Sequence, residues 1–207
     1  MRIIAGKWRS HRLSSEGRTA RPTTDRARQV LFDIVGDRIV GARVLDLFAG
    51  SGAIGLEALS RGADFAIFVD QDAKATNGIR RIVSALAAQE VTEVWTRRAS
   101  SALQELSNRA EQFDWIFADP PYGKGEDLKV LTRIGDSGNL LLRPGGWLLL
   151  EVPSHAPVPA DTGALDLERE RTVGGTTLRF YRRVEGTEGS PSSSGDTPQD
   201  TEDSRDT

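Results

Sequence analysis

The chain has 207 residues, enough for one domain with modest extensions and a full hydrophobic core. It contains no cysteine, which excludes disulfides, thiolate metal sites and cysteine nucleophiles and makes a reducing cytoplasm the expected address. The net charge of −3 hides an asymmetry: from Glu185 onward seven acids face one base, so residues 1–184 carry +3, and the first 28 residues hold eight bases against two acids.

That basic start suggests an anionic partner such as nucleic acid, with a solvated charged segment as the plain alternative. The opening MRIIAGKWRSHRL has positive charge but no apolar stretch after it, so a secretory signal is not expected. No apolar run is long enough to span a bilayer, and no membrane partner is expected. Arg2-Ile3-Ile4, the turn at Ala5-Gly6 and Lys7–Leu13 predict a small β-hairpin. Arg18–Thr24, with Pro22, predicts a loop, and Thr24 or Asp25 can cap a helix running to about Arg38, with Ala27, Val30, Leu31 and Ile34 at helical spacing.

From Gly41 the pattern alternates. Strands are predicted over Arg43–Phe48, Phe65–Val69, Val91–Thr96 and Phe113–Ala118, with helices over Ala53–Arg61, Lys74–Ala88, Ser101–Ala110 and Asp127–Asp136. Pro144-Gly145-Gly146 predicts a turn into a fifth strand, Trp147–Val152, and Gly174-Gly175 a hairpin turn between Leu165–Thr172 and Thr176–Arg182. Such alternation implies an α/β fold whose sheet is mostly parallel, with helices on both faces and an antiparallel edge hairpin. The tail from Glu185, rich in Ser, Thr, Gly, Pro and acid, has nothing apolar to bury and is expected to be disordered.

Two motifs carry chemistry. Gly50, Gly52 and Gly55 match G-x-G-x-x-G between a strand and a helix; Gly50 would permit the tight turn, Gly52 the approach of a ligand, and Gly55 close packing of helix on sheet. Nicotinamide and flavin enzymes share this loop, so alone it is weak. Asp46, on the strand before it, could hold the ammonium of an amino-acid-like ligand through water, and Asp70, ending the second strand, could accept from ribose hydroxyls. Asp119-Pro120-Pro121-Tyr122 follows the fourth strand, at the same carboxyl edge. An exocyclic amine on a base is a poor nucleophile because its lone pair is delocalised into the ring. The Asp119 carboxylate and the Pro120 carbonyl can each accept one of its N–H groups, and Tyr122 can stack on a base removed from its own stack. The plain alternative is a proline-rich turn with Asp119 as a local turn former.

The order of these motifs resembles class I methyltransferases with an N/D-P-P-Y/F signature. Met1–Arg9 and Arg21-Pro22-Thr23-Thr24-Asp25-Arg26-Ala27-Arg28, followed by Leu31-Phe32, narrow the resemblance to the RsmD family of 16S rRNA guanine-N2 methyltransferases, over about residues 1–183. The resemblance implies a Rossmann-like fold, S-adenosylmethionine as donor (S-adenosylhomocysteine as product), and a guanine N2 of 16S rRNA as acceptor, in the RNA or the small-subunit particle. It carries Asp46, Phe48, Gly50, Gly52, Gly55 and Asp70 into the donor site and Asp119, Pro120 and Tyr122 onto the target. Many methyltransferases place an acid on the adenine amine after the third strand; here the stretch is Arg98-Ala99-Ser100-Ser101, so the Ala99 backbone and Ser100 hydroxyl take that place.

The expected organisation is then an RNA-binding extension over 1–40, a methyltransferase domain over 41–184 and the tail over 185–207, acting as a monomer. Arg9, Arg12, Arg21 and Arg26 are the expected RNA contacts, although Arg21 and Arg26 could equally pair with Asp25 or Asp37. Trp8 either stacks on RNA or pins the arm to the body. No His, Asp or Glu cluster has metal-ligand spacing, and no metal is expected. The amine-holding motif alone also suits adenine N6 or a protein glutamine amide, and the glycine loop alone suits a nicotinamide oxidoreductase or an idle RNA-binding module.

Overall fold

The computed structural model describes residues 1–13, 25–123, 125–136 and 141–184. The predicted loop at Arg18–Thr24, with Arg21, and the predicted disordered tail lie outside the described residues.

Helix α1 (Asp25–Val35) passes into a 3₁₀ turn at Gly36–Ile39. Then follow β1 (Arg43–Leu47), α2 (Ala53–Ser60), β2 (Phe65–Asp70), α3 (Ala73–Ala85), β3 (Thr92–Thr96), α4 (Ala99–Asn108), β4 (Phe113–Ala118), α5 (Glu126–Gly135), β5 (Leu142–Pro153), β6 (Leu165–Val173) and β7 (Thr176–Arg183). The seven strands form one sheet in the order β3-β2-β1-β4-β5-β7-β6. The first five pair in parallel; β7 pairs antiparallel with both β5 and β6. The order reverses between β1 and β4, which opens a crevice at the carboxyl ends of those two strands.

The central strands are apolar on both faces, as a sheet covered on two sides requires. Val44, Ala66, Phe68, Trp115, Phe117 and Leu149 join α1, α2 and α3 through Leu31, Phe32, Leu56 and Ile79. Leu45, Ile67, Ile116, Leu148 and Leu150 join α4 and α5 through Leu103 and Leu131. Trp115 and Trp147 serve packing, as their strand positions suggest: their rings stack with centroids 5.6 Å apart, and Arg38 lies 5.1 Å over Trp147.

One of the less regular elements follows the sequence reading and one differs. The predicted amino-terminal hairpin forms: Arg2 and Arg12 make an antiparallel bridge, flanked by Ile3 N donating to His11 O at 3.0 Å and Leu13 N donating to Met1 O at 3.1 Å. Other backbone donors of the arm reach α2. Ile4 N and Ala5 N donate to the two oxygens of Glu57 at 2.7 and 2.9 Å. Lys7 N donates to the Ser60 carbonyl and Trp8 N to Ser60 Oγ. Trp8 also packs on the core, so the structure uses it to pin the arm. The difference is Pro144-Gly145-Gly146, which lies within β5 as an irregularity and not before it. Leu142 pairs with Phe113 and Trp147 with Trp115, so the chain bulges outward between them.

Glu57 is fully buried although charged. Arg61 Nε donates to its Oε1 at 2.8 Å, and the fully buried Arg28 brings Nε to 3.9 Å from Oε2. Arg28 also donates to the Arg2 carbonyl and to Asp25 Oδ1. Burial pulls the Arg28 guanidinium below its usual value, opposed by the charges of Asp25 and Glu57. Arm, α1 and α2 are thus joined at one carboxylate.

Candidate active site

Leu47, the last residue of β1, pairs with Ala118, the last of β4. The turns that follow, Phe48–Gly52 and Asp119–Tyr122, therefore leave neighbouring strands at the same level. The two sequence motifs meet at the crevice mouth, as their order along the chain predicts.

The glycine turn is braced from below. Asp46 is buried, and its Oδ2 accepts from Gly55 N at 2.9 Å. Burial raises its carboxyl to about 7, the Gly55 bond opposes that rise, and the charge of Asp70 adds to it. Asp70 Oδ2 accepts from Gly50 N at 2.9 Å, and Asp70 Oδ1 accepts from Asp72 N at 2.8 Å. Each oxygen keeps lone-pair capacity for a further donor. Phe48 has a φ of 64°, a left-handed conformation that costs a non-glycine residue on the order of 1 kcal/mol or more.

Gly55 acts as its position in the motif predicts. A Cβ there would lie 2.4 Å from Phe68 Cε1, so α2 approaches β2 more closely than any side chain would permit. Gly52 is also constrained by its own packing. Its φ is +72°, and a Cβ would sit 3.0 Å from Ile79 Cγ1, so α3 and the left-handed turn account for the glycine without a ligand. The outer surface of the turn is open at Gly50, where a Cβ would meet nothing nearer than Phe48 O at 3.9 Å.

Ala99 is buried at the start of α4 and Ser100 is exposed beside it. Asp70 pairs with Thr96, and Arg97 N donates to Asp70 O, which brings this turn next to Asp70 at the same rim.

On the β4 side, Pro120 is buried, Asp119 is half-buried and Tyr122 is exposed. The Tyr122 hydroxyl and Thr176 Oγ1 lie 2.9 Å apart. Burial raises the Tyr122 hydroxyl, the Thr176 bond opposes the rise, and the negative charges of Glu151 and Asp119 add to it. The sequence reading did not single out Glu151 or Thr176. Glu151 breaks the apolar run Trp147-Leu148-Leu149-Leu150, a usable signal; Thr176 gave none, because its role depends on the antiparallel return of β7.

Of the predicted RNA contacts, Arg9 and Arg12 are exposed on the arm and Arg26 is exposed on α1. A recess of about 290 Å³ between the arm and α1 is lined by Arg2, Ile3, Ile4, Arg9, Ser10, Asp25 and Gln29. Arg21 is outside the described residues. Among the described residues no group of three or more His, Asp or Glu could hold a metal, and no helix is long and apolar enough to cross a membrane.

Comparison with known proteins places these features in a lineage. Residues 1–182 match the family model described as conserved hypothetical protein 95. The chain is 35% identical over 185 residues to ribosomal RNA small subunit methyltransferase D of Escherichia coli, covering 88% of this chain and 90% of that one. It is 36% identical over 184 residues to the Bacillus subtilis protein YlbH, covering 88% and 99%. The solved structure of the E. coli protein yhhF superposes with a TM-score of 0.78 at 32% identity, covering 89% of this chain and 98% of that one.

Proposed function

Because the chain belongs to the conserved hypothetical protein 95 family, the RsmD family of methyltransferases, we propose that it transfers a methyl group from S-adenosylmethionine to the exocyclic N2 of a guanine in 16S rRNA. The observation that carries the proposal is the convergence of the two turns: Leu47 beside Ala118 sets the glycine loop and Asp119-Pro120 on adjacent strands at one rim.

The donor fits the loop. Its open surface at Gly50 can receive a flat, extended ligand, and Asp70 has acceptor capacity for ribose hydroxyls. Ala99 and Ser100, next to Asp70, would meet the adenine end. Asp46 supports the loop through Gly55 N and lies beneath the place of the amino-acid end. When bound, the donor supplies an electrophilic methyl group on a positively charged sulfur.

The acceptor side needs little covalent assistance. The nitrogen attacks the methyl carbon in line, the carbon–sulfur bond breaks with its electron pair left on sulfur, and the nitrogen loses one proton. Asp119 and the Pro120 carbonyl accept the two N2–H bonds, which turns the lone pair toward the methyl carbon and stabilises the charge that develops on nitrogen. Asp119 is then the nearest base for the departing proton. The ring of Prolines 120 and 121 fixes φ, so the carbonyl is oriented before the base arrives. Tyr122, held by Thr176, offers its ring to the base. Holding the reactants in this geometry accounts for most of what such a displacement requires. The exposed arm with Arg9 and Arg12 supplies phosphate contacts that position the RNA.

The test is to incubate the protein with radiolabelled donor and, separately, unmodified small ribosomal subunits, naked rRNA, DNA or release factors, then map the label. Label on guanine N2 of the small-subunit RNA is the expected result; label on adenine or on a protein amide alone overturns the proposal. Asp119→Ala is expected to reduce transfer about a hundredfold or more while leaving S-adenosylhomocysteine affinity unchanged by calorimetry.

A further inference from the structure

Glu151 is 6% exposed, at the end of β5. The preceding residue, Leu150, pairs with Ala118, so Glu151 stands level with Asp119. Side chains alternate along a strand, and Leu149 and Phe117 face α1–α3; Glu151, two residues after Leu149, faces the same way. Its partner across the ladder is Leu178, and Thr176, two residues before Leu178, lies on that face too. Thr176 holds the Tyr122 hydroxyl, and Glu151 makes a side-chain hydrogen bond with Tyr122 as well as acting on it by charge, as Asp119 does. The carboxylate therefore sits at the side of the crevice where the target base would lie, within hydrogen-bonding reach of Tyr122.

The fold does not call for an acid here. Glu151 follows three leucines, and its ladder partner is a fully buried leucine. An apolar residue would serve packing better, since burying a charge in such surroundings is costly. In the structure the Tyr122 side chain at the rim is one partner of this carboxylate, and the second carboxylate oxygen has lone-pair capacity for another donor.

We propose that Glu151 selects the base by accepting the N1–H of a guanine whose N2 is held by Asp119 and Pro120. The inference rests on the methyl-transfer reading above and adds the source of its specificity. A flipped base is read along its Watson–Crick edge. Guanine presents two adjacent donors there, N1–H and the N2 amine. Adenine presents its N6 amine beside a bare N1, which is an acceptor. An ionised carboxylate only accepts, so it pairs with guanine N1 and repels adenine N1. Asp119 alone cannot make that choice, because both bases offer it an amine. Two acceptors side by side on β4 and β5 match guanine, and only guanine among the four bases carries both donors next to each other at a purine edge.

The test uses the full chain with S-adenosylhomocysteine and two synthetic RNA hairpins cut from the segment that takes the label. One carries guanine at the target position, the other 2-aminopurine, which keeps the N2 amine but has no N1–H. The wild type is expected to bind the guanine hairpin about tenfold or more tightly, the effect of one hydrogen bond to a charged group. Glu151→Gln keeps the shape, and its amide can donate to the bare N1 of 2-aminopurine, so the preference should vanish or invert. Affinity for S-adenosylhomocysteine should not change. Glu151→Asp, which retains the charge but withdraws it by one methylene, should give an intermediate preference. A purely structural Glu151 would weaken both hairpins equally in the variants. Preference equal in wild type and variants, or absent from the wild type, overturns the proposal. Label mapped to a base other than guanine would instead overturn the function on which it rests.

Discussion

Replacing Glu57 by alanine should cost about 3–5 kcal/mol of stability, the usual effect of removing one partner from a buried ion pair. The structure supports that size. Glu57 is fully buried and takes two backbone donors from the arm, Ile4 N and Ala5 N, at 2.7 and 2.9 Å. It takes a third from Arg61 at 2.8 Å and faces the fully buried Arg28. Alanine would leave the Arg28 guanidinium with Asp25 as its remaining carboxylate, and Asp25 is itself exposed. The two arm N–H groups are half-buried, so water can satisfy them once the arm lifts, and their loss belongs near the low end of the scale. Glu57→Gln should be nearly as damaging, because one of the two arm donors would then face an NH2 group. Urea unfolding followed by tryptophan fluorescence measures the loss, and the melting temperature should fall by about 10 °C. Amide exchange at Ile4 and Ala5 should accelerate more than in the central strands, since the arm is released first. A loss below about 1 kcal/mol, with those amides still protected, would show that the arm is held by its packing and not by this carboxylate.

Asp46→Asn should change the pH dependence of stability. Burial raises the folded carboxyl from 3.8 to about 7, so the folded state binds a proton that the unfolded state has released across that window. The contribution is complete below about 3.8 and is lost as pH climbs to about 7. Asparagine keeps an acceptor for Gly55 N, and its unfolding curves at pH 5 and pH 8 should differ less than those of the wild type; equal differences would refute the assignment. Gly55→Ala should destabilise by about 1–3 kcal/mol, because its Cβ would meet Phe68 at 2.4 Å; unchanged unfolding would contradict the close contact of α2 with β2. Reversing the charge of Arg9 and Arg12 together should weaken RNA binding and reduce the dependence of log K on log salt by about 2; an unchanged slope would move the RNA away from the arm.

The sheet was legible in the sequence because its strands are apolar runs of the right length separated by amphipathic helices. β4 is found at the limits its pattern predicts. The ends of α1 and α3 were overrun by three residues each, since charged residues such as Arg38 continue the spacing while the backbone tightens at Gly36 and turns at Leu86. The arm's hairpin was legible from its own pattern, but nothing local reveals that Glu57 and Ser60, some fifty residues on, take the donors of its turn. The same holds for the site. Asp46, Gly55, Asp70 and Asp119 could be found from their places next to strand ends. Glu151 stood in plain view as an acid inside an apolar run, but its meaning depends on β5 lying beside β4. Thr176 depends on a strand that runs the other way.

The pairing of Leu47 with Ala118 also bears on how such a catalyst tolerates change. The two turns ride on rods that are cross-linked to each other residue by residue, so their separation is set by the lattice spacing of the sheet and not by the pliancy of either turn. Residues around the crevice can be exchanged without altering the distance between the two turns. That span is inherited with the strands.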